Sequence, residues 1–242
     1  MTETVFLAGA AGVIGQRLVP LLIAAGWRVF GTTRSAERAE ALRVAGAEPV
    51  LVDVYDASAL TAAVVAARPR VVMHQLTDLP RGLEPSHIDE ARARNARMRE
   101  EGTRNLVAAA VEAGAEKLVA QSIAFACAPG PKPYLETSPL DVHATGGAGI
   151  NARGVASLEA HVLAAPLVGI VLRYGRFYGP GTGVDAPAGP GSLHVDDAAQ
   201  AALVAMTTGE RGIYNIVEDD GFASVEKAAR GLGWRARGCD LR

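Results

Sequence analysis

Three glycines near the start of the chain have the spacing of a phosphate-binding turn. An apolar run of strand length, residues 5–8, leads into Gly9, and Gly12 and Gly15 follow around the start of an amphipathic helical pattern. Such a turn lets backbone approach a pyrophosphate, while the free N–H groups and the positive end of the helix face its charge. Glycine-rich turns also occur without any ligand. The pattern predicts a dinucleotide site, whose candidate contacts here are Gly9, Gly12, Val13, Ile14 and Gly15.

The end of the second predicted strand bears on the choice between NADP and NAD. NAD-selective sites commonly have an acidic residue there for the ribose hydroxyls, whereas an arginine accommodates a 2′-phosphate. Arg34 follows this strand between Thr33 and Ser35, and no acid occurs before Glu37. Arg34 could also be a solvated residue that precedes a helix. We expect NADP as the cofactor, with NAD less favoured, and hydroxyl hydrogen bonds from Thr33 and Ser35.

The ends of the third, fourth and fifth predicted strands supply further candidate cofactor contacts. Asp53 follows the third strand, where it could accept a hydrogen bond from an adenine amino group or act as an ordinary strand-end cap. Ligands of parallel sheets bind at the carboxyl ends of the strands. The other candidates at these ends are Val54, Gln75, Leu76, Thr77 and Gln121.

Apolar strands alternate with helical patterns over the first half of the chain. This alternation predicts an α/β fold with a doubly wound parallel sheet, a Rossmann fold, covered by helices on both faces. The predicted strands are 5–8, 27–32, 49–52, 70–75, 117–121, 168–173 and 212–217. The predicted helices are 13–25, 35–45, 57–67, 86–113 (with a potential break at Gly102), 152–164, 195–206 and 224–232.

The domain organisation is expected to be simple. No internal repeat or linker is visible, so residues 1–242 are expected to form one NAD(P)-binding domain. Irregular segments at 128–150, 174–193 and 218–242 are expected on the substrate side, the last as a small, reduced C-terminal substrate-binding region.

The composition excludes several classes of protein. Hydrophobic residues make up 49% and charged residues 21%, and the formal net charge of −2 argues against a broad surface for nucleic acid. No apolar run reaches membrane-spanning length, and no secretory leader precedes the first strand. Cys127 and Cys239 form neither a disulfide framework nor a metal-ligand pattern. We expect a cytoplasmic protein with a small-molecule substrate, which could form a homodimer.

Further motifs, in order along the chain, carry a resemblance to a known superfamily. After the glycine turn come Val71-Val72-Met73-His74, Gly102-Thr103-Arg104-Asn105-Leu106, Val119-Ala120-Gln121-Ser122, Leu172-Arg173, Tyr178-Gly179-Pro180-Gly181, His194-Val195-Asp196-Asp197, Tyr214-Asn215 and Leu232-Gly233-Trp234. With these motifs the chain resembles, nearly end to end, the short-chain dehydrogenase/reductase superfamily. The resemblance is to its extended and atypical branch, often labelled NAD-dependent epimerase/dehydratase.

The resemblance implies a catalytic serine, tyrosine and lysine, of which only the serine is matched. Ser122 corresponds to the serine that polarises the substrate carbonyl. Glu159 matches a glutamate four residues after the lysine, which puts Asn151 at the tyrosine position and Val155 at the lysine position. No other Tyr-x-x-x-Lys occurs in the chain. A phenol with a pKa near ~10 is a poor base at neutral pH without a nearby cation, so any turnover must use other groups.

Other residues could take the place of the missing tyrosine, although each could equally be a packing or loop residue. The candidate proton donors are Tyr134, Tyr174, Tyr178 and His143. His194, Asp196 and Asp197 are close enough in sequence to suggest metal ligands, but the resemblance makes them the entry to a helix. No metal site is expected.

Three functions remain open. The leading one is an NADP(H)-dependent oxidoreductase of a small carbonyl or alcohol substrate, with hydride carried by the cofactor. The second is a non-catalytic NADP(H)-binding sensor or regulatory protein, which the missing Tyr/Lys pair favours. The third and weakest is a sugar-nucleotide epimerase or dehydratase. That chemistry normally uses the missing tyrosine, and only residues 218–231 are present where a sizeable substrate-binding region is usual.

Overall fold

The strands form one large parallel sheet and one small one. The computed structural model of the protein describes residues 2–79 and 88–237. In chain order its strands are β1 Thr4–Ala8, β2 Arg28–Thr33, β3 Glu48–Leu51, β4 Val71–His74, β5 Lys117–Ile123, β6 Val168–Tyr174, β7 Arg176–Tyr178, β8 Ser192–His194 and β9 Gly212–Ile216. The large sheet has the order β3-β2-β1-β4-β5-β6-β9, and β7 pairs with β8. The strand order reverses between β1 and β4, which is where doubly wound sheets bind ligands.

Helices cover both faces of the large sheet. They are α1 Val13–Ala24, α2 Ala36–Val44, α3 Ala57–Ala67, α4 Ile88–Arg97, α5 Thr103–Glu112, α6 Gly146–Ala164, α7 Val195–Thr208 and α8 Glu226–Leu232. Side chains alternate between the two faces along β1, as the strand geometry requires. Val5 and Leu7 join a core with α1, α7 and α8, whereas Phe6 and Ala8 join a second core with α3, α5 and α6. The predicted Rossmann fold is therefore confirmed.

The long helix predicted over 86–113 contains an irregular turn. A π-helical turn, Met98–Gly102, separates α4 from α5, close to the predicted break. Residues 86 and 87 lie outside the described residues, as do Cys239 and the end of the predicted C-terminal segment. Single π-helical turns inside α-helices occur frequently at functional sites. This turn contains Arg99, whose side chain lines a cavity.

Two segments predicted to be irregular are more ordered than expected. Helix α6 begins at Gly146, six residues before the predicted start. A Cβ at Gly149 would lie 1.8 Å from the carbonyl oxygen of Ala144, so the first turn requires the glycine that suggested a loop. The predicted loop 174–193 contains the short strands β7 and β8.

A buried ion pair joins α6 to β6. Arg173 in β6 donates from Nε and one terminal nitrogen to the two carboxylate oxygens of Glu159, at 2.8 and 2.7 Å. The hydroxyl of Ser122 in β5 donates to the same carboxylate at 3.0 Å. All three residues are buried, with exposed fractions of 3%, 5% and 1% for Arg173, Glu159 and Ser122. Each charge is therefore compensated inside the protein.

Removing the carboxylate should destabilise the fold strongly. Glu159→Gln leaves the Arg173 guanidinium buried without a counter-charge, and we expect the free energy of unfolding to fall by about 3–5 kcal/mol. Urea denaturation followed by circular dichroism measures the change. The control is Glu226→Gln, which breaks the exposed ion pair with Arg230 and should have little effect. Equal losses in the two variants would contradict a structural role for the Glu159 carboxylate.

Candidate functional site

Two cavities that share some lining residues lie at the carboxyl ends of the strands of the large sheet. The smaller one, of about 340 Å³, lies at the ends of β1 to β4. The glycine turn forms one wall, and the ends of β2 and β3 form the opposite one. Most of the predicted cofactor contacts line it: Gly9, Gly12, Thr33, Arg34, Ser35, Asp53, Val54, Gln75, Leu76 and Thr77. The sequence therefore predicts the lining of this cavity well.

The glycine turn is held against the neighbouring strands by close backbone contacts. Gly9 has a φ of +91°, and a Cβ there would lie 2.5 Å from the carbonyl oxygen of Gln75. The N–H of Gly9 donates to the hydroxyl of Thr32 at 3.1 Å. At Gly15 a Cβ would lie 2.3 Å from the carbonyl oxygen of Gly9, so this glycine serves packing and lines neither cavity described here.

Gly12 has a different task from the other two glycines. It is the N-cap of α1, where no side chain caps the helix, so the N–H groups of the first turn remain available to an anion. A Cβ at Gly12 would make one close contact, at 3.2 Å from the Gly9 carbonyl oxygen, and its backbone is extended. Gly12 lines both cavities of the site. The turn therefore offers a phosphate the bare end of a helix.

Two arginines, rather than one, flank the smaller cavity. Arg34 follows β2, and its guanidinium lies 4.0 Å from the carboxylate of Asp53 with both side chains about half exposed. The hydroxyl of Ser35 caps α2 by accepting the N–H of Arg38 at 3.3 Å. Arg38 also lines the cavity, one helical turn after Arg34. Sequence reasoning missed Arg38, although its spacing of four from Arg34 was the signal.

Gln75 provides a test of whether a dinucleotide fits. Its side chain is 5% exposed, and neither amide atom makes a hydrogen bond of normal geometry within the described residues. The nearby Tyr174 hydroxyl donates instead to the carbonyl of Ala198 at 3.3 Å. Gly12, Gln75 and Thr77 line both cavities. Because a buried amide requires a partner, a polar ligand that passes from one cavity to the other fits this arrangement.

A larger cavity of about 780 Å³ continues from the smaller one toward β5 and α6. Its apolar lining residues include Val13, Ile14, Ile123, Phe125, Phe177 and Val184. Its polar lining residues include Thr77, Asn95, Arg99, Gln121, Cys127 and Asn151. A cavity of this size with a mixed apolar and polar lining is suited to a small organic substrate.

The alternation of side chains along β5 decides which of its residues reach the larger cavity. Gln121 and Ile123 line it, whereas Ser122 lies between them on the opposite face and is bonded to Glu159. The serine that the resemblance pairs with the substrate is therefore directed away from the cavity, and apolar Ile123 takes the position beside it.

The four predicted substitutes for the missing tyrosine all lie elsewhere. Tyr134 packs edge-on against Phe222, with ring centroids 5.5 Å apart. Tyr174 is fully buried in the core, and Tyr178 donates to Glu218 beneath β8. His143 is exposed on the segment before α6. Within the described part of the chain, the larger cavity is lined by no tyrosine, lysine or histidine.

The missing pair has an arginine beside it. Asn151, at the tyrosine position, lies on α6 and accepts a 2.6 Å hydrogen bond from the guanidinium of Arg99. Val155, at the lysine position, is fully buried with Ile123 and Ala126. Helices α4 and α6 can approach closely because Gly154 of α6 has no Cβ. A Cβ at this position would lie only 3.0 Å from the backbone of α4. Sequence reasoning missed Arg99 because the contact joins residues 52 positions apart.

Arg99 is a largely buried cation. Burial lowers its pKa to about 10, so the guanidinium stays protonated at pH 7, and its side chain is 6% exposed. Burial, with the charge of Arg99, also lowers the pKa of the neighbouring His74 to about 4. His74 is therefore neutral: Nδ1 accepts the N–H of Leu76, which leaves the protonated Nε2 to donate to Thr103. The histidine cannot share the positive charge or balance it.

The His194, Asp196 and Asp197 motif forms the start of α7 and takes part in hydrogen bonds of the fold. His194 caps α7 by accepting the N–H of Asp196, and Asp197 accepts two hydrogen bonds from Arg237. No group of three or more potential ligands suited to a metal ion occurs among residues 2–79 and 88–237. Over the same residues, no helix is long and apolar enough to cross a membrane.

Comparison with known proteins identifies the family. A model described as NAD(P)H-binding matches residues 9–149, a range that contains the glycine turn and the ends of β2 to β5. The chain belongs to this NAD(P)H-binding family. A Streptomyces protein named 3-diazoavenalumate denitrifying reductase is 45% identical over 238 residues, which cover 89% of this chain and 76% of the relative.

Solved structures support the same fold. UDP-glucose 4-epimerase from Thermotoga maritima matches with a TM-score of 0.76 and 20% identity, over 97% of this chain and 94% of the other. The Bordetella bronchiseptica enzyme WbmG, in complex with NAD and UDP, matches with a TM-score of 0.75 and 20% identity, over 97% and 89%. At these identities the likeness concerns the fold alone. The family match and the fold together show an NAD(P)-binding protein with a Rossmann fold.

Substitutions at Gly12 and Gly15 should separate binding from folding. Gly12→Val adds a side chain where backbone must approach the pyrophosphate, and we expect NADPH binding to fall below detection in calorimetric titration. Circular dichroism should show a folded protein, since the backbone of Gly12 is extended. Gly15→Val should instead fail to fold stably, because its Cβ would overlap the Gly9 carbonyl. Normal NADPH affinity in Gly12→Val would contradict the assignment.

Proposed function

We propose that the protein is an NADP(H)-dependent reductase that replaces the diazo group of a small aromatic substrate by hydride. The observation that carries this proposal is the lining of the larger cavity, which lacks tyrosine, lysine and histidine among its described residues. The 45% identity to a protein named as a denitrifying reductase of a diazo compound supports the same chemistry.

The preference for NADP rests on the end of β2. Arg34 and Arg38 flank the smaller cavity, and no acidic residue stands between Thr32 and Ser35. A guanidinium fork binds a phosphate through paired, charge-assisted hydrogen bonds. Two guanidinium groups therefore favour the cofactor with a 2′-phosphate. Asp53 is assigned to the adenine amino group of the same cofactor.

The chemistry accounts for a cavity without tyrosine, lysine or histidine among its described lining residues. When bound, the reduced cofactor supplies hydride, and the overall change for an arenediazonium is ArN₂⁺ + NADPH → ArH + N₂ + NADP⁺. The carbon–nitrogen bond breaks with its electron pair leaving on N₂, and the hydride pair forms the new carbon–hydrogen bond. No oxygen gains a proton, so Asn151 and Val155 can occupy positions that carbonyl reduction would need for a phenol and an ammonium.

The residues of this chain then have binding and shielding roles. The bare end of α1 and Gly12 hold the pyrophosphate, and the buried amide of Gln75 receives a hydrogen bond from the cofactor where the two cavities meet. Ile123 and Phe177 give the larger cavity an apolar wall that excludes water from a reactive diazo compound. Ser122 acts through the fold, by holding Glu159 against Arg173.

This proposal differs from reduction of a carbonyl or oxidation of an alcohol. In either, a proton must move at the substrate oxygen, which normally requires a positioned acid or base worth roughly 10²–10⁴-fold in rate. None of Tyr134, Tyr174, Tyr178 and His143 lines the larger cavity. A non-catalytic NADP(H) sensor needs no proton donor either, and turnover distinguishes it from a reductase.

The cofactor preference is tested with the two arginines. Arg34→Ala and Arg38→Ala should each weaken NADPH binding by about 1–3 kcal/mol, the range for a hydrogen bond to a charged group. NADH binding should stay nearly unchanged in calorimetric titration. Arg43→Ala is the matched control, since Arg43 lies on the same helix as Arg38 but pairs with Glu40 outside the cavity. Equal losses for NADPH and NADH would contradict a 2′-phosphate site.

The reaction is tested with a stable arenediazonium salt and the matching aryl aldehyde. We expect the protein to oxidise NADPH and release N₂ with the first and to leave the second unreduced. NADPH that carries deuterium at the transferred position should give an arene deuterated at the carbon that bore nitrogen. Gly12→Val reports the uncatalysed background. Turnover of the aldehyde alone would exclude the proposed reaction, and no turnover with either substrate would indicate a sensor.

A further inference from the structure

The larger cavity contains a buried positive charge for which the described part of the chain provides no counter-charge. Arg99 is only 6% exposed. Its one hydrogen-bond partner among the described residues is the neutral side-chain oxygen of Asn151. A guanidinium has five N–H donors in a planar fork. Arg99 therefore has donors to spare at the wall of a cavity of about 780 Å³.

The nearest candidate for a counter-charge is already engaged. Glu159 attracts Arg99 electrostatically, but both its carboxylate oxygens accept hydrogen bonds from Arg173, and one also accepts from Ser122. His74 is neutral and cannot help. Burying a charge is costly unless it is paired. The folded protein thus keeps a charge that a ligand can neutralise.

The rest of the cavity has the same sign. Arg92 and Arg176 also line it, and Asp141 is the one acidic residue among its described lining residues. Arg92 pairs with Asp89 at 3.1 Å, and Arg176 stacks on the ring of Phe125 at 4.7 Å. These two are partly solvated, so Arg99 is the cation for which an anion would gain most.

The apolar part of the lining favours an aromatic or conjugated skeleton. Phe125, Phe177 and Ile123 line the same cavity as Arg99 and Asn151. A planar carboxylate matches the fork of a guanidinium through two parallel hydrogen bonds. Neutral hydroxyl groups, such as those of a ribose, would bond to Arg99 without balancing its charge.

We propose that the substrate is an aromatic or conjugated carboxylate, and that Arg99, oriented by Asn151, binds its carboxylate group. The assignment rests on the proposed function, because it names the substrate class for the same cavity. Arg99 is a binding residue here, and it takes no part in breaking the carbon–nitrogen bond. Substrate orientation then follows from two anchors, the carboxylate at Arg99 and the ring against Phe125 and Phe177.

Binding of non-reactive probes tests the assignment without any turnover. The protein saturated with NADP⁺ is titrated calorimetrically with cinnamate and with cinnamamide, which has nearly the same shape and no charge. We expect cinnamate to bind about 10- to 100-fold more tightly, as for a hydrogen-bonded charge. In Arg99→Met the two affinities should become equal. Arg94→Met, which changes an exposed arginine of α4 paired with Glu90, should keep the wild-type ratio.

A second variant keeps the test valid if Arg99→Met folds poorly. Asn151→Asp supplies an internal carboxylate to Arg99, so the melting temperature should rise and the preference for cinnamate should disappear. Equal affinities of cinnamate and cinnamamide in the wild type, or no binding of cinnamate, would overturn the assignment. So would an Arg99→Met variant that binds NADP⁺ more weakly but keeps the acid-to-amide ratio. None of these results bears on whether a diazonium salt is reduced, so failure here is distinguishable from failure of the proposed function.

Discussion

The contact between the glycine turn and the end of β4 is the constraint on which the site depends. The backbone of Gly9 lies so close to the carbonyl of Gln75 that no Cβ fits between them. This approach places the uncapped start of α1 at the point where the strand order reverses. It also brings Gln75, whose buried amide makes no hydrogen bond of normal geometry within the described residues, to the junction of the two cavities. One backbone contact therefore positions both the uncapped end of α1 and a residue that the two cavities share.

Much of this arrangement could be predicted from local sequence. Strand, glycine turn and helix follow one another within a few residues, and the candidate contacts at the ends of β2, β3 and β4 fall on one cavity because parallel strands end at one edge. For β5 the sequence predicts both Gln121 and Ser122 as site residues, although neighbouring residues of a strand face opposite sides of the sheet. A motif locates the end of a strand, but only the face of each side chain shows that Gln121 and Ile123 line the cavity and that Ser122 does not.

The partner of Asn151 could not be predicted in the same way. Asparagine at the tyrosine position was visible in the sequence, but Arg99 reaches it from another helix, through a π-helical turn that no periodicity announces. The close packing of α4 on α6 at Gly154 is equally non-local. The sequence could therefore show that an expected group is missing. It could not show which group lies beside Asn151, because that depends on how α4 and the turn after it pack on α6.

The missing pair and the buried arginine are physically linked. A lysine at the position of Val155 would enter an apolar cluster with Ile123 and Ala126, one helical turn from the guanidinium of Arg99. Two buried cations so close would each disfavour the charged form of the other. A tyrosine at the position of Asn151 would also remove the oxygen that orients Arg99. This wall of the cavity can therefore hold a proton-transfer pair or a buried anion-binding cation, but it cannot easily hold both, and the described residues favour the second.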